Sequence, residues 1–136
     1  MPDRTPMTLF SMTTRAMSAQ MVRMNAATSN LANAGSVSST EEGAYRPIRA
    51  VFATELDRAS GLAGVTTGGL VRAETAPTKR HDPGHPLADK DGFVFEAPVD
   101  ETAEMVEIME SARQYQNLVQ ALQTAKQLML ETLRSQ

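Results

Sequence analysis

The stretch VDETAEMVEIMESARQYQNLVQALQTAKQLMLETLRSQ, residues 99–136, contains neither glycine nor proline, and its reading decides the fold. Ile108, Tyr115, Leu122 and Met129 recur at intervals of seven, and Met105, Ala112, Val119 and Leu133 form a second seam with Leu118 and Ala125 alongside. Apolar residues in this rhythm fall on one stripe of an α-helix. Asp100 can cap the start, Glu101 and Glu104 lie where the helix dipole favours negative charge, and Arg134 lies at the end that favours positive charge. A helix of roughly 33 residues is about 50 Å long at ~1.5 Å per residue. A chain of 136 residues cannot cover such a rod by folding around it, so its stripe must meet another helix, other subunits, or both.

A second helical segment occupies the other end of the chain. From about Thr8 to Ala32 there is again no glycine or proline, and Phe10, Met17, Met24 and Leu31 recur at sevens, with Thr13, Gln20 and Ala27 between them. Thr13 and Gln20 are polar and Met21 lies beside the stripe, so this helix is marginal alone and needs a partner surface. Asn33, Gly35 and the small polar run SVSSTEEGA end it near Asn33. Residues 45–96 then alternate short apolar stretches (AVFA at 50–53, GLVRA at 69–73, FVF at 93–95) with glycines and prolines, the pattern of short strands or extended segments.

The expected fold is mainly α with a small β or irregular middle. An N-terminal helix in residues 1–35 and a C-terminal helix in 99–136 pair as an antiparallel coiled coil around an extended or hairpin segment, 36–98. Met12, Met21, Leu128 and Leu130 lie outside the main seams, so burial between chains is expected as well as within one.

Composition removes several classes of function. With no cysteine there is neither a disulfide framework nor thiol chemistry. No tryptophan and only four phenylalanines and two tyrosines leave a thin core, filled largely by alanine, leucine, valine and nine methionines. No basic block or aromatic-basic platform suggests nucleic acid as a partner, and no apolar run is long enough for membrane insertion. Arg15 and Arg23 interrupt the apolar positions that a cleaved secretory signal would need. Residues 1–39 carry three basic and one acidic residue, whereas 99–136 carry three basic and six acidic, so the two ends attract weakly.

HDPGHPLADKDG, residues 81–92, invites a metal reading through His81, Asp82, His85, Asp89 and Asp91. A small metal-binding or hydrolytic module centred on His81–Pro86 is therefore the alternative. No distant histidine or cysteine completes such a site, and DKDG lacks the later glycine and glutamate of a calcium loop. Turn chemistry explains the same residues: Asp82 before Pro83 can form an Asx-turn, Pro83-Gly84 turns tightly, His85 and Pro86 continue the loop, and Asp91-Gly92 turns again. Neither a catalytic residue nor a cofactor is expected. Glu101, Glu104, Glu107 and Glu110 read as a solvated helix face, or less readily as a surface that docks on basic residues of a neighbour.

Several of these segments together resemble the bacterial flagellar basal-body rod proteins, and within them the proximal rod. They are SNLAN at 29–33, YR at 45–46, DPGHP at 82–86, DGFV at 91–94 and the run 104–133. The resemblance covers most of the chain in order, and residues 54–76 match least. It implies a non-enzymatic structural subunit of the flagellar drive shaft. Such a subunit passes through the flagellar type III export apparatus without a cleaved signal and assembles helically in the periplasmic rod. Its partners would be copies of itself and other rod proteins, including the rod-to-ring adaptor and the distal rod. It implies further that the Phe10–Leu31 stripe packs on Ile108, Tyr115, Leu122 and Met129, that Asn30 and Asn33 cap the first helix and position the exit chain, and that Tyr45 is a motif residue.

Overall fold

The computed structural model describes residues 8–135. Helix α1 spans Leu9–Ala32. Its first turn has no acidic residue, and hydroxyls do the capping: the Ser11 amide donates to Thr8 Oγ1 at 3.1 Å, while the Thr8 amide donates to Ser11 Oγ at 2.9 Å. Asn33 is the C-cap, its Nδ2 donating to the Ser29 carbonyl at 2.8 Å, and Gly35 follows with φ +80°. Helix α2, Glu101–Arg134, begins at Asp100, whose carboxylate accepts from the Ala103 amide at 3.2 Å. The two helices pack against each other.

Five strands lie between the helices, in two sheets. β2 (Ile48–Asp57) and β3 (Leu62–Arg72) form a hairpin of 10 and 11 residues, paired from Ile48 with Arg72 to Asp57 with Leu62. The register shifts where Val51 faces Gly69 and Phe52 faces Thr67, leaving Gly68 as the extra residue. A Cβ on Gly68 would lie 3.3 Å from the Val51 carbonyl, so a side chain there would crowd the bulge. The other sheet is antiparallel in the order β1 (Val37–Ser38), β5 (Phe93–Glu96), β4 (Thr78–His81). The strands differ from expectation in two ways. The hairpin strands are long rather than short, because ladder hydrogen bonds join backbone groups, which the glycines that read as punctuation carry like any other residue. Val37–Ser38, read as part of a polar loop, pairs with β5.

Apart from Asn30, Glu104 and Val94, the buried positions of the helices and strands belong to small side chains. Ala19, Ala26, Ala27 and Thr13 on α1, and Ser111 on α2, are buried, whereas the larger residues of the stripes flank them half-exposed. Small residues at a contact let backbones approach closely, and buried hydroxyls close back on their own helix: Thr13 Oγ1 donates to Leu9 O at 2.8 Å and Ser111 Oγ to Glu107 O at 2.6 Å. α1 also packs against β2 and β3, so it is the element that the other helix and the hairpin share.

Candidate assembly interface

The root of the hairpin is where α1, α2 and β2 converge, and polar residues hold it. Asn30, fully buried one turn inside the end of α1, donates from Nδ2 to the Ile48 carbonyl at 2.9 Å. Its Oδ1 accepts from the Ile48 amide at 2.7 Å and from the Tyr45 hydroxyl at 2.8 Å. Tyr45 Oη also lies 3.0 Å from Ser29 Oγ, and the Arg72 guanidinium stacks over the Tyr45 ring. Asn30 therefore does not cap the helix. Capping falls to Asn33, and Asn30 pins the incoming strand, since its amide matches one donor and one acceptor of an extended residue. The segment after Tyr45 is fixed from the opposite side. Arg46 Nε donates to Ala73 O at 2.9 Å, the Ala73 amide to Pro47 O at 2.8 Å, and Arg72 to Arg46 O at 2.8 Å.

One residue along β2, Arg49 reaches α2 and pairs with Glu104 at 2.7 Å; the Glu104 side chain is only 2% exposed. A turn later on α2, Glu107 accepts a fork of hydrogen bonds from Arg23 of α1, through Nε to Oε1 and through Nη2 to Oε2 at 3.0 Å. Arg23 also lies 3.4 Å from Glu110. The hydrogen bond from Arg23 holds the Glu107 carboxyl below the usual carboxylate range, against the opposing effect of burial. The same bond raises Arg23 above its ordinary value. The acidic row is therefore not a solvated face throughout. Glu104, Glu107 and Glu110 turn toward basic residues of α1 and β2 in the same chain, and Glu101 is exposed. The signal that could have found this was the presence of Arg23 among the apolar positions of the first helix.

Phe10, Met17, Met24 and Leu31 on α1 and Ile108, Tyr115 and Leu122 on α2 are half-buried in the single chain. Met105 and Met129 stand apart at 52% and 48% exposed, with Val106 and Met109 beside the first and Leu128, Leu130 and Leu133 beside the second. Every described residue from Lys126 to Ser135 is exposed. Both ends of α2 thus carry apolar surface that the chain itself leaves open, and the hairpin adds Phe52, Leu56, Leu70 and Val71.

The 81–92 loop is a double turn. The His85 amide donates to Asp82 O at 3.1 Å, the Gly92 amide to Asp89 O at 3.0 Å, and the Asp82 amide to Gly92 O at 2.8 Å. The Asx role expected of Asp82 belongs to Asp89, whose Oδ1 accepts from the Asp91 amide at 2.9 Å and the Phe93 amide at 2.8 Å. Asp82 instead lies 3.7 Å from Arg80. The His81 ring meets Phe93 edge-on, and His85 Nδ1 accepts from the Leu87 amide at 3.0 Å. Pro83 and His81 pack where a Cβ on Gly92, φ +82°, would sit. Among the described residues no three histidine, cysteine, aspartate or glutamate side chains gather to hold a metal, so the metal alternative is not favoured. Nor is any helix among them long and apolar enough to cross a membrane.

Two terminal helices, a hairpin fixed at its root by polar ties, and uncovered apolar faces define a structural, assembly-forming subunit. Comparisons with known proteins agree. The family described as flagellar basal body rod FlgEFG protein C-terminal matches residues 90–135, from the second turn of the loop through α2. The chain is 36% identical over 125 residues to the flagellar basal-body rod protein FlgC of Salmonella typhimurium, with 92% of this chain and 93% of that protein covered. It is 37% identical to the same protein of Escherichia coli O157:H7 at the same coverage, and 32% identical to that of Agrobacterium fabrum over 84% of this chain and 83% of that one. The chain belongs to the FlgC family of flagellar basal-body rod proteins, and its function is that of a structural subunit of the rod.

Proposed function

We propose that the chain works by helical assembly. Copies and other rod proteins, including the rod-to-ring adaptor and the distal rod, pack through α1 and α2 into the periplasmic drive shaft, transmitting torque and enclosing the export channel. The terminal helices pair as an antiparallel coiled coil: Arg23, near the middle of α1, pairs with Glu107 and Glu110, whereas the C-terminal end of α1 is tied through Asn30, Ile48 and Arg49 to Glu104 at the start of α2. The stripe Phe10, Met17, Met24, Leu31 packs against Ile108, Tyr115 and Leu122, and Met105 and Met129 serve contacts between chains. The chain is not an enzyme, and it reaches the rod through the flagellar type III export apparatus without a cleaved signal.

One observation carries this reading most: the apolar side chains at both ends of α2 are uncovered, while Glu104 and Glu107 near the hairpin root pair with arginines of the same chain. Apolar surface gains about 25 cal/mol per Å² only when water is removed from it. Substituting Leu133→Asp tests it. Stability of the purified chain should change by less than about 0.5 kcal/mol, as for an exposed position, while incorporation into basal bodies and swimming are lost. Normal swimming with that variant would refute the packing role of this face.

A further inference from the structure

Nine methionines and no cysteine make the thioether the only sulfur of the chain. An oxygen-donating oxidant that meets it finds no competing thiol. The described methionines differ in access. Met12, Met17 and Met24 are half-buried along α1, whereas Met105 and Met109 on α2 are 52% and 64% exposed. Met21 and Met129 fall between the two groups.

Met105 and Met109 stand one turn apart on α2, with exposed Val106 beside them, so the two thioethers share one apolar patch. The helix is held fast on its other side. Glu104 is tied to Arg49 of β2, and Glu107 to Arg23 of α1. At about 100° per residue, Glu104 and Glu107 point one way around the helix and Met105, Val106 and Met109 the other. The ties that fasten α2 to the rest of the chain therefore keep both methionines turned outward.

We infer that Met105 and Met109 form a modification site for peroxide, open in the free subunit, and that their oxidation excludes the subunit from the rod. A sulfur lone pair attacks one oxygen of hydrogen peroxide; the S–O bond forms as the O–O bond breaks. The departing hydroxide takes the proton of the transferred oxygen, leaving a sulfoxide and water, with sulfur oxidised and the peroxide reduced. In the free chain the sulfoxide stays in water and costs the fold little. In a contact between subunits the same polar group has to be dehydrated, which opposes association. The inference rests on the rod assembly proposed above and adds the chemical state of the face on which that assembly depends.

The test treats the purified full chain and isolated basal bodies with dilute hydrogen peroxide and follows each methionine by peptide mass spectrometry. In the free chain Met105 and Met109 should take up oxygen several-fold faster than Met12, Met17 and Met24, and in basal bodies the pair should be protected. Met105→Gln with Met109→Gln sets a polar amide where the sulfoxide would stand. In flagellated cells that lack their own copy, this variant should lower incorporation about tenfold, equivalent to ~1.4 kcal/mol, with thermal unfolding of the purified variant confirming that it folds. Should it not fold, Met105→Leu with Met109→Leu decides: comparing each strain with itself untreated, peroxide should reduce incorporation of the leucine variant less than that of the parent. Oxidation of Met12, Met17 or Met24 ahead of the exposed pair overturns the inference. So do equal oxidation of the pair in free chain and basal bodies, undiminished incorporation of the glutamine variant, or a leucine variant as sensitive as the parent. Each of these leaves the rod assignment standing, whereas absence of the chain from basal bodies would overturn the assembly reading, and this inference with it.

Discussion

The side-chain amide of Asn30 satisfies both backbone groups of Ile48, donating to its carbonyl at 2.9 Å and accepting from its amide at 2.7 Å. A helix residue thus acts as the neighbouring strand for the first residue of β2. Asn30→Ala leaves two polar backbone groups facing a buried space and should cost about 2–4 kcal/mol. Denaturant unfolding of the purified variant checks the magnitude. Amide exchange at Ile48 checks the location, since it should accelerate there before it does in α2.

Arg23 and Glu107 make stability depend on acid. The folded-state pKa of Glu107 lies below its unfolded value, so its contribution is complete above the unfolded pKa of about 4.3 and is lost as pH falls through the folded value. Arg23 is raised, and its contribution stays constant through the neutral range. Both side chains are partly exposed, at 24% and 35%, which limits the pair to about 1 kcal/mol. Melting temperature followed from pH 7 downward should drop less steeply in Glu107→Gln than in the parent chain, and Arg23→Met combined with Glu107→Gln should be less than additive.

Two glycines separate backbone strain from crowding. Gly35 and Gly92 have φ of +80° and +82°, but a Cβ on Gly35 meets nothing within 4 Å, whereas on Gly92 it would lie 3.2 Å from Pro83 Cβ and 3.3 Å from His81 Nε2. Gly35→Ala should cost about 1 kcal/mol, the left-handed penalty alone. Gly92→Ala should cost about 1–2 kcal/mol more as the two turns are pushed apart. Paired thermal melts compare them directly.

The 81–92 loop should be indifferent to metal. His85→Ala removes the acceptor for the Leu87 amide, a local contact worth about 1 kcal/mol. Neither that variant nor the parent chain should change its melting temperature when a chelator is added. A chelator-induced drop in the parent that His85→Ala abolishes would revive the metal reading.

Heptad spacing made the terminal helices legible, because a stripe of apolar residues needs no knowledge of what covers it: Ile108, Tyr115 and Leu122 fall half-buried on α2, and Asn33 ends α1. What the sequence hid were pairings whose partners lie far apart along the chain. Glu104 and Glu107 looked like surface acids until Arg49 and Arg23 arrived from β2 and α1, and such contacts at separations of 55 and 84 residues carry no local periodicity. The length of the hairpin strands was obscured for a different reason. Gly64, Gly68 and Gly69 read as breaks, yet in an antiparallel ladder they sit opposite larger residues or form the bulge, and the pairing runs through them. Of the two tasks expected of Asn30, it positions the exit chain through Ile48 and Tyr45 and leaves the capping to Asn33.

Amide hydrogen exchange across Lys126–Arg134 tests the central claim, because every described residue there is exposed in the single chain and none contacts another element strongly enough to bury it. In the purified chain these amides should exchange within the fast, fraying class, and in isolated basal bodies they should be protected by orders of magnitude. Equal protection in both, with the last turns of α2 as stable alone as in the rod, would contradict an account in which neighbouring subunits supply the missing cover.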